Sequence, residues 1–188
     1  MKFSYSWLCD HLETDKNATE IGDALTNLGL ELESLTDYSS YSKFVVATIK
    51  DFHKHPNADR LNICTVDDGT KTYQVICGAN NVKKGLKGIF AKDGMYIPGT
   101  QIYLKKGKIR GEISEGMLLS ERELNLSDDH DGIIELSDNF ENGTSAIDAL
   151  KLNDPVFEIG ITPNRGDCLG VRGAVSYTHL TLPTSDLV

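Results

Sequence analysis

At 188 residues with 39% hydrophobic content, the chain can bury a sizeable core in one or two domains, and it holds no apolar run long enough to span a membrane. Its net charge of −9, from 19 basic against 28 acidic residues, excludes a generically basic protein that coats nucleic acid. The opening MKFSYSWLCDHLE has no continuous apolar stretch, which reads as no signal peptide and a cytoplasmic location, and the scattered Cys9, Cys64, Cys77 and Cys168, without a CxxC pair, predict free thiols.

Residues 1–39 read as a small α/β piece. Phe3 and Tyr5 alternate with Ser4 and Ser6 as in a short strand, and Trp7, Leu8, His11 and Leu12 follow at helical spacing, with Trp7 expected as a core anchor. Asn17-Ala18-Thr19-Glu20 has the form of a capping box, opening a helix that buries Ala18, Ile21, Leu25 and Leu28 and ends at Gly29. Leu30, Leu32 and Leu35, with Glu31 and Glu33 between, predict a strand with one wet face. The Ser- and Tyr-rich residues 38–43 read as a linker.

From Phe44 the strand signals come quickly. HPNADRL, residues 55–61, is a dense turn between the β-branched, apolar residues 44–49 and the alternating residues 61–66. Pro56 fixes its own φ and pushes His55 to extended geometry, while Asn57 and Asp59 can bond back to nearby amides, so the loop presents its polar groups rigidly. Asp67-Asp68-Gly69 then leads into residues 72–77 as a hairpin, and Gly78, Gly85, Gly88, Gly94 and Gly99 punctuate further short segments, including residues 88–91 and 101–105. Such spacing predicts a small barrel rather than a parallel sheet. Helix formers fill residues 117–126, predicting a helix under the barrel; residues 133–136 read as a strand, and Thr144 as the cap of a short helix carrying Ala146, Ile147 and Leu150. Val156, Phe157, Ile159 and Ile161 form a last strand, followed by a turn over residues 163–166 and Asp167 as an N-cap.

Charge is unevenly placed. Residues 83–110 hold eight basic side chains against Asp93 alone, a local +7, whereas residues 112–148 sum to −10. No Ser/His/Asp or Cys/His set has a spacing that supports nucleophilic catalysis, and no glycine-rich loop opens a helix to cradle phosphates. His53 and His55 with Cys64 or Cys77 lack the paired-ligand spacing of structural zinc, and residues 128–132 lack the alternating ligands and terminal Glu of a calcium loop.

Three ordered segments, HPNADRL, CGANNV (77–82) and KIRGEISEGMLLSERELNL (108–126), together resemble the tRNA-binding OB-fold domain found in several aminoacyl-tRNA synthetases. The flanks FSYSWLCDHL, ALTNLGLELE and ITPNRGDCLGVRG resemble the bacterial phenylalanyl-tRNA synthetase beta subunit, over residues 2–175. The resemblance implies an α+β fold with a five-stranded OB-fold β-barrel, residues 40–151, inserted into a small discontinuous α/β domain of residues 1–39 and 152–175. Residues 176–188 depart from the family and read as a foreign or unstructured tail.

It also implies the N-terminal part of the beta subunit of a ligase that attaches phenylalanine to its tRNA, contributing tRNA binding and architecture, with no catalytic residue and no metal ligand in this chain. ATP and magnesium belong to the complete enzyme, whose implied partners are tRNA and a catalytic alpha subunit in an assembly of two alpha and two beta chains, with no membrane. A barrel of this kind lays a nucleic-acid backbone along a basic groove and offers aromatic faces to bases. Lys84, Lys105, Lys106 and Arg110 are the phosphate candidates; Asn57, Arg60, Asn80, Asn81 and Ser114 are the polar groups the motifs gather; Tyr73, Phe90, Tyr96 and Tyr103 are the stacking candidates. Two further readings stand beside the ligase: a free-standing tRNA-binding module or chaperone, for which the flanks have no use, and a structural interaction domain without direct RNA contact.

Overall fold

In the computed structural model, which describes residues 1–178, the elements follow in chain order as β1 (Lys2–Ser4), α1 (Tyr5–Cys9), α2 (Ala18–Asn27), β2 (Leu32–Thr36), β3 (Val45–His55), β4 (Ala58–Asp67), β5 (Thr72–Cys77), β6 (Lys87–Lys92), β7 (Tyr96–Ile97), β8 (Ile102–Tyr103), β9 (Gly107–Ile109), β10 (Glu112–Ser114), β11 (Gly116–Leu118), α3 (Ala146–Leu150), β12 (Val156–Ile159) and α4 (Val171–Thr178). The described residues divide into two compact units, 1–39 with 151–178, and Ser40–Leu150.

In the first unit the late strand β12 lies between β1 and β2, antiparallel to both, so that Phe157 pairs with Phe3 on one side and Leu35 on the other. Phe157 is fully buried and stacks on Phe3 at 5.3 Å between ring centroids, and Leu8, Leu12, Ile21 and Leu25 pack in the same core. Both halves of the capping box form: Asn17 Oδ1 accepts the Glu20 amide at 3.0 Å, and Glu20 accepts the Asn17 amide at 2.9 Å. The expectation for Trp7 fails. Its side chain is 51% exposed, because the single turn of α1 directs Leu8 to the core and leaves its neighbour outside. Helix α4 runs three residues past Val175; the rest of the tail expected as foreign or unstructured, residues 179–188, lies outside the described residues.

The second unit is a nearly closed antiparallel barrel of five strands in the order β11-β6-β3-β4-β5. Strand β3 is long enough to serve two partners, pairing with β6 through its first residues and with β4 through the rest, with Lys50 bulged where the register slips. A bulge sharpens twist, which curls the sheet. The seam is closed by β5: the Glu115 amide donates to the Gln74 carbonyl at 2.9 Å, and the Ile76 amide donates to Ser114 Oγ at 3.2 Å. Tyr73 and Phe90 meet inside at 5.0 Å, beside Cys64, whose thiol is pushed up to about 12 by burial and then by neighbouring Cys77. All four cysteines are free thiols.

One carboxylate is buried in this unit. Asp68, 1% exposed, accepts from the Thr70 amide and hydroxyl, the Lys71 amide and the Tyr73 hydroxyl, and pairs with Lys92 Nζ at 2.6 Å. Burial alone would raise its pKa; the Lys92 ammonium and the donors from Lys71 and Thr70 outweigh it and hold the carboxyl well below the usual carboxylate range.

Several local expectations give way to tertiary contacts. Residues 117–126 form no helix: Met117 and Leu118 pair with Ala91 and Phe90 in β11, and the chain then turns, with Asn125 at positive φ. Gly116 makes that pairing possible, since a Cβ there would collide with the Phe90 ring. Residues 133–136 contribute a single bridge, Lys87 to Leu136, rather than a strand. Ser145, not Thr144, accepts the first free amide of α3, from Ile147 at 3.3 Å. The expected linker is anchored, as Tyr41 is buried and its hydroxyl donates to the Leu124 carbonyl at 2.6 Å.

Candidate nucleic-acid interface

The HPNADRL turn is the joint of one end of the barrel. Strands β3 and β4 are linked by Pro56 and Asn57 alone, and buried His55 braces the link: its Nδ1 accepts the Asn57 amide at 3.0 Å while its Nε2 meets the Ile109 carbonyl at 3.1 Å, an arrangement that requires the proton on Nε2. Asn57 Nδ2 donates to the Arg110 carbonyl at 3.3 Å. The partner here is the β9–β10 hairpin, whose two-residue tip Arg110-Gly111 has φ of +50° and +103°, the signature of a primed turn. Asn57 and Arg110, 53 positions apart, are thereby fixed side by side. Gly78, at the head of the loop carrying Asn80, lies against Leu61 and the Arg60 carbonyl, so exposed Asn80 and Arg60 flank neighbouring segments.

Other candidates are used by the fold itself. Asn81 donates to the Ile133 carbonyl and Glu135 and accepts the Ile133 amide, pinning the returning chain against the loop after β5. Ser114 is buried, accepting the Ile76 amide and donating to the Gly116 carbonyl. Of the stacking candidates, Tyr73 and Phe90 are core residues, whereas Tyr96 and Tyr103 are exposed.

Folding pairs four of the eight cations of residues 83–110 with carboxylates. Lys83 pairs with Glu135 at 2.6 Å, Lys84 with Asp51 at 3.7 Å, Lys92 with Asp68 and Lys106 with Glu115 at 2.6 Å, while Lys87 donates to the carbonyls of Asp138 and Phe140. The Glu115 and Glu135 carboxyls are held below their usual range, first by Lys106 and Lys83 respectively. Among the described residues, Lys87, Lys105, Lys108 and Arg110 from that stretch have no ion-pair partner, nor does Arg60. Lys108, the first residue of the third motif, is not among the phosphate candidates above; the structure places it in β9, one residue before the carbonyl that His55 holds. Among the described residues no group of three or more His, Cys, Asp or Glu side chains is placed to hold a metal ion.

A family model described as "Putative tRNA binding domain" matches residues 44–145, more than half of the chain. The chain belongs to that family. The tRNA-binding domain begins one residue before β3 and ends one residue before α3, so it contains all five barrel strands and both segments that meet at Asn57 and Arg110. Similarity to curated proteins extends beyond it. The phenylalanine--tRNA ligase beta subunit of Brucella abortus is 50% identical over 174 residues, and that of Bartonella henselae 52% identical over 174 residues. Each match covers 92% of this chain and 22% of the relative, so the chain spans about a fifth of the length of the curated relatives it matches. Among solved structures, a MetRS related protein from Pyrococcus horikoshii matches with a TM-score of 0.40 and 23% identity over 55% of this chain and 87% of that one, a likeness too slight to bear on function. No helix among the described residues is long and apolar enough to cross a membrane.

Proposed function

We propose that this chain is the N-terminal part of the beta subunit of a cytoplasmic phenylalanine-tRNA ligase, where it supplies tRNA contact and subunit architecture and performs no catalysis. The observation that carries the reading is that identity to the beta subunits runs through both units, over 92% of the chain, and not through the tRNA-binding domain alone. In the complete ligase the partners are tRNA and a catalytic alpha subunit, in two copies of each chain. ATP and magnesium are read as cofactors of the complete ligase rather than of this piece. The barrel, residues 40–151, is read as an insertion in the discontinuous first domain.

The RNA-facing surface is the end of the barrel where Asn57, Arg60, Asn80 and Arg110 stand, extended along β9 by Lys108 and back to Lys105. Lys84 and Lys106 play a lesser part because Asp51 and Glu115 already hold them. Phosphate contacts of this kind position RNA without reading its sequence and release counterions, so binding weakens steeply with salt.

Titrating tRNA against the chain by fluorescence anisotropy at several salt concentrations tests this. The expected dissociation constant lies in the range of about 10⁻⁶ to 10⁻⁴ M. Replacing Lys105, Lys108 and Arg110 by Gln lowers the affinity for all tRNAs alike and flattens the salt slope by about one for each phosphate left without its cation, whereas Lys106→Gln changes it little. Absence of binding at low salt, or binding unaltered by the triple substitution, removes the RNA surface and leaves an interaction domain inside the synthetase.

A further inference from the structure

The ribbon formed by β7 and β8 carries the two exposed stacking candidates, which the RNA surface proposed above does not use. It pairs only with itself, apart from the five-stranded sheet, and places Tyr96 opposite Tyr103 with ring centroids 5.2 Å apart and planes tilted by 58°. The two rings are 45% and 67% exposed. The ribbon is nevertheless firmly held. Its tip is tied by the Gly99 amide to the Glu123 carbonyl at 2.8 Å, with no room for a Cβ at Gly99 against the Arg122 carbonyl. Its base is tied by two bonds of 2.8 Å, from the Gly94 amide to the Leu104 carbonyl and from the Leu104 amide to the Met95 carbonyl. The backbone that carries the rings is thus already ordered, which lowers the cost of ordering the site on binding.

The ribbon itself carries charge of one sign, with Asp93 at its base, where the carboxylate accepts the Lys106 amide. Residues 95–105 contain no acidic side chain. Lys105 follows Tyr103 by two residues, and Lys43 shares with Tyr96 a recess also lined by Tyr41, Phe44 and Met95. Among the described residues neither lysine has an ion-pair partner.

We propose that the Tyr96/Tyr103 ribbon is a stacking platform for unpaired bases of single-stranded RNA, with Lys105 and Lys43 receiving the flanking phosphates. This rests on the RNA-binding reading above and adds to it a second contact, made by rings rather than by charge. Aromatic faces alternating with free cations are the arrangement that binds single strands with little sequence preference, because every base has a π-face. An apolar protein surface would leave both ammonium groups opposite nothing.

The test uses the full chain and two probes of about 12 nucleotides, within the site size of one such barrel: an oligoadenylate and an abasic strand of equal length. Tyr103→Leu is expected to weaken oligoadenylate binding about tenfold with an unchanged salt slope, since stacking releases no counterions, while Tyr103→Phe binds as the parent does. Lys105→Gln flattens the slope by about 0.7. The abasic strand, which offers phosphates and no bases, binds the parent and Tyr103→Leu alike. Circular dichroism confirms that each variant is folded. Salt-dependent binding of tRNA and oligoadenylate that is indifferent to Tyr103→Leu overturns the platform and leaves the RNA surface standing, with the ribbon then a protein contact. An equal loss for the abasic strand also overturns stacking, and no binding of any RNA overturns both proposals.

Discussion

Asp68→Ala destabilises the barrel by about 3 kcal/mol at neutral pH, measured as a shift of the urea midpoint without change of slope. The substitution strands the Lys92 ammonium, the Tyr73 hydroxyl and the amides of Thr70 and Lys71 at once. Breaking a buried pair by removing one partner costs about 3 to 5 kcal/mol; the lower end applies because the Lys92 side chain is 34% exposed and can reach water. Such a loss is a large part of the roughly 5 to 15 kcal/mol that holds a domain together. The pH dependence has a definite sign. Asp68 is depressed in the folded state, so its contribution is fully present above the unfolded pKa of about 3.9 and disappears as pH falls through the lower folded value. Lys92 is raised, first by its bond to Asp68, so its contribution is present below about pH 10.4 and is lost as pH rises through the folded value. Between those limits the pair contributes no slope. Asp68→Asn therefore flattens the acid limb of the stability curve, and a loss under about 1 kcal/mol for Asp68→Ala would demote the pair to a surface contact.

Phe157→Ala costs the first unit about 3 to 5 kcal/mol. Phe157 is fully buried on the central strand of a three-stranded sheet, stacked on Phe3 with Tyr5 at 6.5 Å, and its removal opens a cavity in the core of that unit. A unit of this size buries little apolar surface, so the loss takes most of its stability. The barrel core shares no residue with that cluster. Hydrogen exchange should then show fast amides in β1, β2, β12 and α2, with β3 to β6 protected as before. Simultaneous loss of protection in β3 to β6 would mean that the barrel does not fold by itself.

The small barrel and its hairpins were readable from the residues because their signals are local, whereas the α+β class with a five-stranded barrel came from the family resemblance. Period-two alternation places β4 and β5, Asp67-Asp68-Gly69 turns between them, and Pro56-Asn57 turns between β3 and β4. The capping box at Asn17 was legible for the same reason, since both hydrogen bonds lie within four residues. Where local preference met a distant partner, the partner won. Residues 117–126 carry helix formers, yet Gly116 to Leu118 complete the sheet against Phe90 and Ala91, because an unpaired edge of β6 would leave backbone groups unsatisfied. Trp7 is too large for a one-turn helix to turn inward when Leu8 and Leu12 already fill that face.

For the candidate surface the sequence by itself determined which residues are cationic, polar or aromatic, and through its motifs which family they belong to. Only the tertiary structure decided which of them are available. Lys84 and Lys106 meet Asp51 and Glu115, Asn81 and Ser114 spend their hydrogen bonds on the chain itself, Tyr73 and Phe90 fill the core, and Arg110 comes to Asn57 across 53 positions. Each outcome is a pairing between segments far apart in the chain, and a charge or hydrogen-bonding group is neutralised by what lies within a few ångströms in space, which one-dimensional order does not contain.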